Sequence, residues 1–349
     1  VLVAAQNIIN DIRKRGDAAC FEYTKKFDGI ELDAFKVSEA EIESAISKCD
    51  PAFCDAMNRA KENIIYFHES QKQNSYLLQK EMGIYLGQRV LPLASVGIYV
   101  PGGRAQYPSS VLMNAIPAHV AGVKRIVMVT PPSKSGEIHP NIAYAAKIAG
   151  VNEIYKIGGA QAIAALAYGT ESIPNVDKIV GPGNIFVAAA KKLVFGKVDI
   201  DMIAGPSEIL VIADEHANAT YAAADLLSQA EHDPMASAIL LCTSKSLIDE
   251  INKELERQTA LLPKKEIVYE SLKNYGKSIL CDTIEEAIEF SNAIAPEHLE
   301  LLIANPMDYL SQVQNAGSVF MGYYTCESIG DYFGGTNHVL TTSGTARFS

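Results

Sequence analysis

The chain has 349 residues, 48% of them hydrophobic and 20% charged, and a formal net charge of -11. This is an ordinary globular composition with length enough for two domains, and the acidic balance disfavours nucleic acid or an anionic membrane surface as a partner. No apolar run reaches the roughly 18 residues of a membrane span, and no signal peptide is visible.

Residues 1–30 read as helix, with Val1, Ala4, Ile8, Ile12 and Phe21 on an apolar stripe and a break at Arg15-Gly16-Asp17. Val37 to Cys49 is a second helix, opened by Ser38 with Glu41 three residues on. Asp50-Pro51 starts a long helix to about Gln73, and Met82 to Pro92 alternates like a hairpin arm. From Val96 the character changes. Strands are expected at 96–100, 125–130, 153–157 and 177–180, and helices at 109–121, 141–149, 161–168 and 184–193. A second alternation follows. Its strands are expected at 207–212, 236–242, 278–281, 299–303 and 318–321, and its helices at 217–232, 247–256 and 283–294. Strands alternating with helices in this way signal βαβ units and parallel sheets. The expected fold class is α/β, with two lobes and a site in a cleft facing the strand C-terminal ends.

The six cysteines are scattered without a CxxC pair, which reads as reduced thiols of an intracellular protein. The chain opens on Val1 inside an apparent helix and ends at Ser349 with no element being completed, so trimming at both ends is expected.

Three glycine turns follow strands and precede helices: Gly102-Gly103, Gly158-Gly159 and Gly181-x-Gly183. Such turns let backbone N–H groups face a phosphate. None is the dinucleotide fingerprint, and each is also fully explained as a tight turn. Gln229 and His232 lie three apart near a helix end closed by Pro234, where an amide oxygen and an imidazole make half of a zinc site. Asp331, in a glycine-rich loop, is the residue type that completes such a shell, and His338 in the same loop is placed to touch substrate. Glu297-His298, held after a proline and before a strand, suits proton transfer near neutral pH. A surface glutamate and a merely hydrogen-bonded histidine remain the bland alternatives for each piece alone.

Taken together, Gly97-I-Y-V-P-G-G-R104, Ile157-G-G-A-Q-A-I163, Gly181-P-G-N184, Ala204-G-P-S-E208, Leu226-L-S-Q-A-E-H-D-P234, Ala295-P-E-H-L-E-L301 and Gly330-D-Y-F-G-G-T-N-H-V-L340 resemble the histidinol dehydrogenase family nearly end to end. The resemblance implies a homodimeric, cytoplasmic enzyme (organellar if from a plant) of histidine biosynthesis. It would hold one zinc per subunit and oxidise L-histidinol to L-histidine in two NAD-dependent steps through L-histidinaldehyde. It assigns Gln229, His232 and Asp331 to zinc and Glu297 and His298 to acid–base work. Ser207 and His338 become substrate contacts, alongside Gln229, His232, His298 and Asp331, while Tyr99, Gln161 and Asn184 become NAD contacts.

The resemblance also implies two Rossmann-like, incomplete dinucleotide folds. One lobe would be formed by 1–100 with 208–349, and 101–207 would be an inserted lobe on the NAD side. The family's fourth zinc ligand is a histidine on a C-terminal segment that crosses to the partner subunit, with a substrate-binding glutamate nearby. None of this chain's seven histidines stands in that position, and Thr341 stands where proline is usual. Zinc held by neutral N and O donors keeps its charge and would template the substrate's amine and imidazole. Activation of a bound water is the alternative. His298 would take the alcohol proton, Glu297 would activate water for the aldehyde step, and His298 would then take the diol proton. The competing readings are a related dehydrogenase acting on another small alcohol, a non-catalytic two-lobed binding protein and a structural scaffold.

Overall fold

The computed structural model describes residues 1–102, 107–203 and 205–348. Gly103 of the first glycine turn, Arg104 and Ala204 lie outside the described residues. The chain divides into two compact units, Val1–Ile203 with Tyr332–Val339, and Ala204–Asp331 with Leu340–Ser349.

The first unit begins with helices α1 (Leu2–Arg15), α2 (Asp17–Asp28), α3 (Glu39–Ile46) and α4 (Pro51–Glu69). The Ser38 side chain accepts from Glu41 N–H at the start of α3, and Asp50 caps α4 with Pro51 in the first turn. A hairpin follows, β1 (Tyr76–Glu81) and β2 (Ile84–Gln88), exposed at every position. Then come β3 (Ser95–Tyr99), α5 (Pro108–Val120), β4 (Arg125–Thr130), α6 (Pro140–Ile148), β5 (Glu153–Lys156), α7 (Gly159–Tyr168), β6 (Lys178–Val180), α8 (Ile185–Val194) and β7 (Asp199–Ile200). The strands form a parallel sheet in the order β5-β4-β3-β6-β7. Both faces are covered, which is why β4 is a nearly continuous apolar run. Val127 and Val129 pack on one side with α1, α7 and α8, while Ile126 and Met128 pack on the other with α4, α5 and α6.

This differs from the expected lobe of 1–100 joined to 208–349. Ala5, Ile8, Ile9 and Ile12 of α1 share a core with Val127 and Ile163. β3 is the central strand of a sheet whose other members all lie beyond residue 100, so a boundary there would cut the sheet. The later segment Tyr332–Val339 also belongs here, fastened by Asn337 Nδ2 donating to the Met113 carbonyl at 2.7 Å.

The second unit runs β8 (Glu208–Ala213), α9 (Ala219–Ala230), β9 (Ser237–Cys242), α10 (Lys245–Thr259), α11 (Lys265–Tyr275), β10 (Lys277–Leu280), α12 (Ile284–Ile294), β11 (His298–Leu302) and β12 (Ser318–Met321). The short helix α13 (Glu327–Tyr332) follows. The sheet is again parallel, in the order β10-β9-β8-β11-β12. Numbered within its own unit, each sheet runs third-second-first-fourth-fifth, the dinucleotide-fold order without its sixth strand. The expected α/β class with two incomplete Rossmann-like sheets is what is observed. Among the described residues no helix is long and apolar enough to cross a membrane.

Candidate active site

In β11, Leu299 and Leu301 point into one core of the second unit. Strand alternation therefore turns His298 and Glu300 to the opposite face. Both are buried, as is Glu297 just before the strand. The first residue of β8 clamps the dipeptide: Glu208 N–H donates to Glu297 Oε2 at 3.0 Å, and His298 Nδ1 donates to the Glu208 carbonyl at 3.1 Å. His298 Nε2 lies 3.4 Å from Asp331 Oδ1, a charge contact without good hydrogen-bond alignment. Burial pushes the Glu297 carboxyl up to about 7 against the pull of His298. Burial opposes the charged form of His298, but Asp331 and Glu297 outweigh it and move its pKa upward.

Gln229 lies in the last turn of α9, with its side chain only 1% exposed and its Oε1 buried without a hydrogen-bond partner. The helix ends at Ala230 rather than running on to His232, because Asp233-Pro234 follows. His232 therefore stands in an exposed turn, its N–H donating to the Gln229 carbonyl at 3.0 Å. Asp331 is buried on α13, one helical turn after Glu327. Single atoms offered by His298, Glu327 and Asp331 all lie within 4.8 Å of one another, a cluster able to hold a metal ion. Ser207 is half-buried immediately before β8.

The sequence reading had no place for Glu327, Glu300 or Asp225. Ser228 Oγ donates to Glu327 Oε2 at 2.6 Å. Glu327 N–H donates to Glu300 Oε1 at 2.8 Å. Burial and the neighbouring Asp225 charge push the Glu300 carboxyl up to about 10. The available signal was the Glu327-x-x-x-Asp331 spacing, which puts two carboxylates on one helix face.

The first unit holds a different constellation. Tyr99 ends β3, Gln161 lies in the first turn of α7 and Asn184 caps α8, and all three line one cavity of about 1120 Å³. The Tyr99 hydroxyl accepts from Gly159 N–H at 3.0 Å, which leaves its own proton to donate. The Asn184 carbonyl accepts from Phe186 N–H and Val187 N–H, which leaves its NH2 available. Gln161 Oε1 is buried without a partner. Three helix N-termini, of α6, α7 and α8, and the ends of β3, β4 and β5 border this cavity, the usual dinucleotide edge of such a sheet. The glycines themselves answer to packing. A Cβ on Gly158 would lie 2.5 Å from Pro131 Cγ, and one on Gly181, at φ +108°, would lie 2.3 Å from the Tyr99 carbonyl oxygen.

His338 also belongs to the first unit, with Nε2 3.3 Å from Ser110 Oγ and its ring 6.2 Å from that of Tyr332. A cavity facing strand C-terminal ends is thus present at the first sheet. In the second, Glu297, His298 and Ser207 cluster where the strands begin, because β8 and β11 pair in register from Ile209 and His298 onward.

A family model described as histidinol dehydrogenase matches residues 1–349. The histidinol dehydrogenase of Clostridium acetobutylicum is 57% identical over 349 residues, 100% of this chain and 81% of that protein. That of Listeria monocytogenes is 57% identical over 343 residues, covering 98% of this chain and 80% of the relative. The crystal structure of histidinol dehydrogenase from Elizabethkingia anophelis superposes with a TM-score of 0.96 at 45% identity, covering 99% of this chain and 80% of that one.

Proposed function

The chain belongs to the histidinol dehydrogenase family, and from that premise we propose how its own residues carry the family's two-step oxidation of L-histidinol to L-histidine. The observation that carries the proposal is the cluster of His298, Glu327 and Asp331, three buried side chains whose oxygen or nitrogen atoms all lie within 4.8 Å of one another.

The donor set fits zinc: neutral amide oxygen, imidazole and carboxylate are all borderline or hard ligands, and the orphaned Gln229 Oε1 lacks only a cation. We assign Gln229, His232 and Asp331 as ligands of one zinc per subunit. Bound there, zinc would anchor the substrate's amine and imidazole while keeping its positive charge. Tyr99, Gln161 and Asn184 would hold NAD, whose nicotinamide takes one hydride in each step.

His298 acts through Nε2, because its Nδ1 proton is committed to the Glu208 carbonyl. It removes the hydroxyl proton of L-histidinol as the carbon gives up its hydride. Asp331 steadies the imidazolium that results. As water adds in the second step, the imidazolium returns this proton to the aldehyde oxygen, which completes the diol and restores the basic form of His298. In the second step Glu297, ionised and held by Glu208 N–H, takes a proton from the water that adds to L-histidinaldehyde. His298 then takes the proton of the diol as the second hydride leaves. Ser207 and His338 are proposed as further substrate contacts.

A homodimer is part of the same proposal. The β1–β2 hairpin exposes Leu77, Leu78, Tyr85 and Leu86, an apolar patch that a second copy would cover. A cytoplasmic setting agrees with six unpaired cysteines. The test is the NADH formed per L-histidinol consumed with NAD in excess. The proposal expects two, with L-histidine as product. No NADH from a folded, zinc-loaded sample would refute it and point to a related dehydrogenase for another small alcohol.

A further inference from the structure

We propose that Lys191 and Asp201 are positioning residues for the dinucleotide: their ion pair holds both backbone groups of Gly181 and so fixes Asn184 relative to Tyr99. This rests on the reading of Tyr99 and Asn184 as NAD contacts. Strands β3 and β6 pair up to Ile98 and Val180, so Tyr99 and Gly181 come next, side by side. They are close enough that a Cβ on Gly181 would collide with the Tyr99 carbonyl oxygen. The turn then runs through Pro182 and Gly183 to Asn184. Asn184 Oδ1 accepts from Phe186 N–H at 3.0 Å and from Val187 N–H at 3.2 Å. The direction of its NH2 is thereby set by the first turn of α8, and the start of α8 is set by the turn at Gly181.

Asp201 follows the last residue of β7, and its N–H donates to the Ile179 carbonyl of β6 at 3.2 Å. Its side chain carries the pairing one step further: Oδ2 accepts from Gly181 N–H at 2.7 Å. Lys191 lies two turns into α8 and reaches back to the turn that opens its own helix. Its Nζ donates to the Gly181 carbonyl at 2.9 Å and to Asp201 Oδ1. That Oδ1 also accepts from Met202 N–H at 2.6 Å. The Lys191 side chain is only 2% exposed and that of Asp201 15%. Among the described residues neither lines the Tyr99–Gln161–Asn184 cavity. A buried ion pair is a poor source of stability, because apolar residues of similar volume often serve as well. What this pair supplies is directional: a Gly181 held at once by its N–H and by its carbonyl.

The competing role is stability alone, and a double-mutant cycle on dinucleotide affinity separates the two. Dissociation constants for NADH would be read by fluorescence titration of the zinc-loaded protein. The variants are Lys191→Met, Asp201→Asn and the two combined. Tyr99→Phe and Asn184→Ser, which still caps a helix, probe the contacts themselves. Lys191→Met and Asp201→Asn should each weaken NADH by about tenfold, the worth of roughly one misplaced hydrogen bond. The double variant should be no worse than the weaker single one, because the pair acts as a unit. The KM for L-histidinol and the zinc content should hold. Unchanged NADH affinity in Lys191→Met, with Asn184→Ser weakened, would overturn the proposal. So would effects that multiply in the double variant, or an equal rise in the KM for L-histidinol, which marks general loosening. Unchanged affinity in both Tyr99→Phe and Asn184→Ser would instead remove the cofactor contacts on which the proposal rests. If Lys191→Met does not fold, Asp201→Asn decides alone, and no change there would equally overturn it.

Discussion

His298 and Glu208 are joined where their strands begin, the imidazole Nδ1 lying 3.1 Å from the Glu208 carbonyl oxygen. Because a carbonyl cannot donate, a ring proton resides on Nδ1, and Nε2, which faces Asp331, is the atom left to exchange a proton. Replacement of His298 by Asn should lower kcat for both half-reactions by about 10²–10⁴-fold, the usual worth of a positioned acid–base group. Stopped-flow NADH formation from L-histidinol and from L-histidinaldehyde checks this. A loss confined to one substrate would break the assignment.

Glu297→Gln should impair aldehyde oxidation more than alcohol oxidation, since only the former needs water activated. Burial holds this carboxyl near 7, and the ionised form is the base. The rate of L-histidinaldehyde oxidation should therefore rise as pH increases through about 7 and lose that step in the variant. Equal losses in both half-reactions would sink the division of roles.

His232→Asn should abolish stoichiometric zinc. Metal analysis of the purified variant after dialysis reads the outcome, and retention of one zinc per chain would exclude His232 as a ligand.

Gln161→Leu keeps the shape of a buried side chain and removes its polar end. It should raise the KM for NAD by about tenfold, the cost of roughly one lost hydrogen bond. Zinc content should not change. An unaltered KM would take Gln161 out of the cofactor site.

Burial and the neighbouring Asp225 charge favour the protonated form of Glu300 in the folded chain. The Glu300 pKa is raised to about 10, above its ordinary 4.5, so its contribution to stability is full below that ordinary value and drains away as pH rises toward about 10. The slope is at most about 1.4 kcal/mol per pH unit, for one whole proton. Glu300→Gln keeps an oxygen to accept from Glu327 N–H and has no proton to lose. Its Tm should gain on the wild type steadily between about pH 5 and about pH 9. Parallel Tm curves would show that Glu300 does not hold the proton.

Much of the fold could be read from local pattern. Arg125–Thr130 is an apolar run bounded by Pro131-Pro132 and is a strand over those same residues. The Ser38–Glu41 spacing forms its helix cap. What depended on distant partners could not be read. Nothing in α1 says that Ile8 and Ile12 choose Val127 over the second sheet, and the boundary at residue 100 came from the resemblance rather than from these residues. Helix α11 was missed because it buries only Val268 and Ser271, too thin a stripe for periodicity to reveal.

Within the site, Glu297-His298 stood out as a charged pair between a proline and apolar residues. Glu327 did not, because its partners Ser228 and Glu300 are 99 and 27 residues away in the chain.

The two sheets share one strand order yet carry their polar constellations at opposite edges. That asymmetry bears on where the chain accepts added sequence. In the second unit the turns leaving β8, β9 and β11 are at the far edge from Glu297 and His298. An epitope spliced into one of them lengthens a surface loop at a small entropic cost and leaves the catalytic dipeptide where β8 holds it. In the first unit the same class of turn borders the Tyr99–Gln161–Asn184 cavity, so tolerated splices there belong at the strand beginnings.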